Sequence, residues 1–191
     1  MEQTPTLARP SAGRAAAEWN VVVTLAEQGF RDAVRLLRRW GTVTRTPYYN
    51  VLAMRVDDPR AFLADFAAAL AASPGIANFV SHVVPAQHTF DFATAEEFAA
   101  RARDVALAWA PEIAGKSFHV RLHRRGRKGV LSSPREERFL DDALLQGTAP
   151  AGRIAFDDPD AVIQIETIDG RAGMSLWTRE EMRQHPFLGA D

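Results

Sequence analysis

The chain has 191 residues, 47% of them hydrophobic, and a formal net charge of −1. It is long enough for one large or two small domains with real cores, and nothing in its composition points to overall disorder. The absence of cysteine excludes a disulfide framework and thiolate chemistry and fits a reducing compartment. No apolar run approaches the roughly 18 residues needed to cross a bilayer, and the first ten residues lack the basic and apolar regions of a signal peptide. A cytoplasmic location is expected.

Residues 1–17 carry Pro, Thr, Gly, Ala and Arg without periodicity and read as a disordered arm. From Trp19 the pattern changes: Trp19, Val21, Val23 and Leu25 alternate on one strand face. Phe30, Ala33, Val34 and Leu37 then fall at helical spacing, up to Gly41 as a left-handed C-terminal residue. Residues 42–46 and 48–56, on either side of Pro47, read as a hairpin. Asp58 and Pro59 are an N-cap and first helical residue, followed by the stripe Phe62, Leu63, Phe66, Ala67 and Leu70. That helix ends before Pro74, and residues 76–84 give a further strand. The order β-α-β-β-α-β predicts an N-terminal ferredoxin-like domain over residues 18–90, with two helices on one face of a four-stranded antiparallel sheet. Residues 85–91 form the link to a second unit.

Thr94 with Glu97 is a capping-box pattern, and Phe98, Ala102, Val105 and Trp109 continue a helix that Pro111 breaks. A strand over residues 117–124 places Phe118, Val120 and Leu122 inward and His119, Arg121 and His123 outward. After the loop RRGRKG, Ser133 as cap, Pro134 at the first position and Glu136 two further on make a second capping box. Phe139, Leu140, Ala143 and Leu144 are the expected buried face of that helix, and Gly147 its end. Residues 161–168 and 172–177 are strands around an Asp169-Gly170 turn. Thr178 with Glu181 opens a short last helix that stops before Pro186. The fold class is α+β.

Residues 116–138 hold eight Lys or Arg against two Glu, a local balance of +6 that leaves −7 for the rest of the chain. A near-neutral protein with one strongly positive segment points to a localised anionic partner. A basic loop feeding a helix N-terminus combines side-chain charge with backbone N–H groups and suits phosphate, and Gly126 and Gly129 allow close backbone approach. The candidate phosphate-binding residues are Lys116, Arg121, His123, Arg124, Arg125, Arg127, Lys128, Arg135 and Arg138. An acidic protein would meet the same charges, so a protein interaction module is the alternative. Other chemistries lack their groups. His119 and His123, four apart on a strand, stand roughly 13 Å from each other, too far to share one ion. Ser132 and Ser133 have no G-x-S-x-G elbow, and neither a Walker loop nor a dinucleotide fingerprint is present. No catalytic residue, metal or cofactor is expected.

From about Phe92 to Leu188 the chain resembles a THUMP domain, in the version found in stand-alone proteins similar to the adaptor of tRNA cytidine acetylation. The resemblance rests on Phe118, Val120, Arg124, Arg125 and Gly126 in the strand and loop, on Glu137 and Arg138 in the helix, and on Asp157, Pro159, Asp160 and Ile163 at the next strand entry. THUMP domains occur in 4-thiouridine synthetases, tRNA methyltransferases, pseudouridine synthases and deaminases. There they bind tRNA near the acceptor end beside a separate catalytic domain, often behind a ferredoxin-like domain. With only three residues after Leu188, no catalytic domain is expected to follow. The resemblance therefore implies a THUMP-like α/β domain over residues 91–188 and a non-catalytic adaptor that binds tRNA and presents it to a separate RNA-modification enzyme.

Overall fold

The computed structural model describes residues 18–190, so the expected arm lies outside the described residues. β1 (Val21–Leu25), α1 (Phe30–Leu37), β2 (Thr42–Arg45), β3 (Val51–Arg55), α2 (Pro59–Ala72) and β4 (Val80–Pro85) form a first unit. Its four strands are antiparallel, in the order β2-β3-β1-β4. β5 (His88–Asp91), α3 (Ala95–Ala108), α4 (Ala110–Ile113), β6 (Ser117–Arg125), α5 (Ser133–Gly147), β7 (Arg153–Ile154), β8 (Ala161–Ile168), β9 (Arg171–Thr178) and α6 (Arg179–Gln184) form the second. Its sheet runs β5-β9-β8-β6-β7, with β6 parallel to both β7 and β8. The molecule is a mixed α/β protein with two sheets.

Several local expectations are met by visible contacts. Asp58 accepts from the N–H groups of Arg60 and Ala61 at 2.8 and 3.1 Å, capping α2. Thr178 and Glu181 make a complete capping box, and Asp169, with φ of 52°, turns β8 back into β9.

Others are corrected. Helix α1 stops at Leu37, and Gly41 is not left-handed; a Cβ there would lie 2.2 Å from the carbonyl oxygen of Arg55, so this glycine serves close packing on β3. Pro74–Asn78 is a 3-10 turn, which delays the expected strand to Val80. The expected link mostly dissolves into strands, because Pro85 ends β4 and His88–Asp91 is the edge strand of the second sheet. Glu97 accepts from Ala93 N–H, one residue short of a capping box, while Thr94 accepts from Glu97 N–H. At α5 the N-cap is Ser132, with no side-chain cap bond. Glu136 is buried there, whereas Phe139 faces solvent at 41% exposure.

The two sheets meet face to face. On β6, Phe118, Val120 and Leu122 pack with Ala161, Ile163 and Ile165 of β8 under α3 and α5, around Phe98, Leu140 and Leu144. The opposite face of this sheet turns toward the first unit: Val162 and Trp177 join the core of Val21, Val23, Leu52 and Phe66, and Ile168 packs with Trp19 and Val22. Strand β1 therefore packs on both faces, and Trp19 packs with Val22 rather than with Val21 and Val23. The chain end returns to the first core as well, where Phe187 meets Phe66 edge-on at 5.0 Å. Arg171 adds a polar pin at this junction, donating to the carbonyl of Trp19 at 3.1 Å and to Asp91 and Thr89 at 2.9 Å each. Gly173 is required by this closeness, since a Cβ would lie 2.7 Å from Ala86 and 2.8 Å from the Trp19 ring.

Candidate nucleic-acid interface

The placement of β6 between two layers divides its basic residues by parity. His119, Arg121, His123 and Arg125 share the face that looks toward the first unit, which the alternation alone reads as solvent. His119 is only 1% exposed. Its Nδ1 lies 2.8 Å from the carbonyl of Ala155, its ring packs against Phe156, and burial lowers its pKa. Further along, in register with His123, stands Glu166, a carboxylate that is 2% exposed. His123 Nδ1 meets it at 2.8 Å, and Arg125 pairs with its other oxygen while reaching Thr24 of the first sheet at 3.4 Å. The charge of Arg125 is thus spent inside the protein, on a buried acid whose other partner is His123.

The other face and the loop keep their charge available. β7 covers only the start of β6, so the free edge is closed by helix α5. Asp141 accepts from Val120 N–H at 2.9 Å and Glu137 from Leu122 N–H at 2.7 Å. These two bonds fix α5 beside the strand, with Arg135 and Arg138 on its exposed side. Asp141 bears the cost of this position, since burial pushes its carboxyl up to about 7.

At the end of β6 the chain leaves the sheet through Gly126, Arg127 and Gly129, with φ of 84°, 51° and 87°. Gly126 is demanded by packing: a Cβ would stand 2.3 Å from the Tyr48 hydroxyl and 2.4 Å from Asp169. Arg124 donates to the Gly126 carbonyl and, with Lys128, Ser132, Ser133 and Arg135, lines an open cleft of about 420 Å³. Arg127 and Lys128 are exposed, and the Arg135 side chain is 76% exposed with a carboxylate no nearer than 3.9 Å. Among the described residues no carboxylate lies within 4.0 Å of Arg124, Arg127, Lys128 or Arg138. The helix start contributes fewer amides than its pattern promises. Pro134 has no N–H, and those of Arg135 and Glu136 both go to the Ser132 carbonyl.

Of the nine candidate residues, the structure gathers Arg124, Arg127, Lys128, Arg135 and Arg138 around the loop and the start of α5. Arg121, His123 and Arg125 lie on the opposite face of the sheet. Lys116 precedes the far end of β6, about 26 Å of strand from Arg124. The first unit adds what the basic run could not reveal. Its β2–β3 loop comes alongside, where the Tyr48 hydroxyl donates to Asp169 at 2.5 Å, and the next residue, Tyr49, is 81% exposed. A sequence signal exists, because these are the chain's two tyrosines and they are consecutive, ahead of a turn-forming Asn50.

No family model matches this chain. A tRNA sulfurtransferase from Saccharophagus degradans is 34% identical over 157 residues, which are 79% of this chain and 28% of that protein. A tRNA sulfurtransferase from Shewanella pealeana is 26% identical over 169 residues, 83% of this chain and 33% of that protein. The chain spans about a third or less of the length of these curated relatives. Among solved structures, PH1313 from Pyrococcus horikoshii superposes with a TM-score of 0.57 at 13% identity, over 83% of this chain and 54% of that one. TrmN from Thermus thermophilus gives 0.55 at 16% identity, over 82% and 44%. A 4-thiouridine synthetase in complex with RNA and ATP gives 0.51 at 14% identity, over 84% and 42%. The chain is therefore similar in sequence to part of the tRNA sulfurtransferases and shares its two-sheet fold with these three structures.

Proposed function

We propose that this protein is a THUMP-type tRNA-binding module, with a ferredoxin-like first unit, that holds tRNA by its phosphates and presents it to a separate RNA-modification enzyme. The observation that carries the reading is the group Arg124, Arg127, Lys128 and Arg138, which meet no carboxylate within 4.0 Å among the described residues, with Arg135 beside them, around one loop and helix start of an otherwise acidic chain. Side chains of this kind hold a phosphate backbone without reading its sequence. The relatives named tRNA sulfurtransferase, and the likeness to a 4-thiouridine synthetase solved with RNA, support tRNA as the nucleic acid. In this reading the protein supplies affinity and orientation, and a separate catalytic unit supplies the chemistry.

The test is binding of bulk tRNA across a salt series. Binding should weaken steeply with salt, with a log–log slope that falls by about one for each interface cation removed. Salt-independent binding, or equal capture by an acidic protein of matched charge, would refute the assignment. Modification of tRNA by the purified chain alone would refute the non-catalytic part.

A further inference from the structure

We infer that Tyr49 is a stacking platform for an unpaired base of the bound RNA, an inference that rests on the tRNA-binding reading above. A tyrosine at 81% exposure leaves an apolar ring in water without a packing role. The loop beneath it is nevertheless fixed. Thr46 donates its hydroxyl to the carbonyl of Val51 at 2.8 Å and accepts from Tyr48 N–H at 3.2 Å. Tyr48 is tied to Asp169 across the junction of the two units, and Asn50 holds the left-handed conformation with φ of 55°. The ring is therefore presented on a rigid turn, so little conformational entropy is lost when a base settles on it.

Its position gives the ring its use. The Tyr48 hydroxyl is packed against Gly126, the residue at which the basic loop begins, and Tyr49 is the next residue of the same β2–β3 loop, its Cα about 3.8 Å from the Cα of Tyr48. An RNA whose phosphates lie on Arg127 and Lys128 passes within a few nucleotides of this ring. Bases in a double helix are stacked on one another and closed to it, whereas an unpaired base can splay onto an aromatic face. The surface thus joins two kinds of contact, cations from the second unit that hold any RNA backbone and an aromatic from the first that favours single-stranded RNA next to a helix.

The experiment compares two labelled RNA hairpins, identical except that one carries a short unpaired tail, against wild type, Tyr49→Ala and Tyr49→Phe. Tyr49→Ala should weaken the tailed hairpin about tenfold and leave the blunt one unchanged, while Tyr49→Phe keeps the preference. The salt slope should be the same in all three proteins, because no cation is removed. Equal weakening of both hairpins, or none, would overturn the stack while the tRNA-binding reading stood. Equal loss in Tyr49→Phe would also overturn it, by showing that the hydroxyl and not the ring makes the contact. Wild-type protein that binds neither hairpin would remove the tRNA-binding reading and the stack together. Unchanged thermal melting of the variants separates these outcomes from misfolding.

Discussion

Arg125 and Arg127 stand two residues apart in one basic run and are put to opposite uses. Arg125 ends β6 on the face that meets the first sheet, where it pairs with the buried Glu166 and touches Thr24. Arg127 lies beyond Gly126, where the chain has left the sheet, and its guanidinium donates to the carbonyl of Ala93, at 3.4 Å, with no carboxylate within 4.0 Å among the described residues. The difference teaches that a count of charges overstates what a ligand meets. The parity of a strand residue, and what covers that face, decide whether its charge is committed internally or offered to solvent.

The largest test of this contrast is Arg125→Ala. Removing the partner of a carboxylate that is 2% exposed should cost roughly 3–5 kcal/mol in urea unfolding. Adding Glu166→Gln to that variant should recover part of the loss, because no unpaired charge then remains. A single variant as stable as wild type would show that His123 alone satisfies Glu166. For the same reason, charge reversal at Arg125 is a poor probe of RNA binding, since it is expected to damage the fold first.

Arg127→Glu with Lys128→Glu is the complementary experiment. Both side chains are exposed and neither faces a carboxylate among the described residues, so stability should stay within about 0.5 kcal/mol. The affinity for tRNA should fall by roughly a hundredfold at low salt, with a salt slope smaller by about two. Binding that survives would show that this loop does not hold the RNA.

Local chemistry explains what was legible in the sequence. Caps and turns are written in adjacent residues, so Asp58, the Thr178 box and the Asp169-Gly170 turn could be read directly, and the apolar stripes of α2 and α3 follow from spacing. What lies across the junction could not be. Nothing near His123 or Arg125 says that another sheet lies across from them, and Glu166 is 41 residues from the arginine that neutralises it. Capping boxes also share their residues with tertiary needs. Glu136 fits the box pattern but is buried, and Glu137 is drawn to the free edge of β6. Tyr49 shows the same limit from the other side, because its neighbourhood with the basic loop exists only once the two units have met.

A smaller effect comes from the other acid that ties α5 to the strand. The Asp141 carboxyl is raised from 3.8 to about 7, so through that window the folded state keeps a proton that the unfolded chain releases. Stability should accordingly fall as pH rises from about 4 to about 7, by about 1–2 kcal/mol after allowance for solvent screening. Urea unfolding at several pH values checks this, and Asp141→Asn should flatten the slope. A stability that instead rose through this range would mean that the ionised carboxylate is the better acceptor for Val120 N–H.

Tyr48→Phe should have the smallest effect, and it tests the junction most directly. The hydroxyl donates to Asp169 across the two units, and burial, with that bond and the carboxylate's charge, holds its pKa up at about 12. Since the phenol stays protonated at neutral pH, removing it should cost only about 1 kcal/mol, measured in urea at pH 7. The larger consequence is expected in binding. Without this bond the β2–β3 loop loses its tie to the turn beside Gly126, so the preference for a tailed hairpin should weaken in Tyr48→Phe although Tyr49 itself is untouched. If the preference remained at wild-type strength, the loop would be held by Thr46 and Asn50 alone, and the two units would meet the RNA independently.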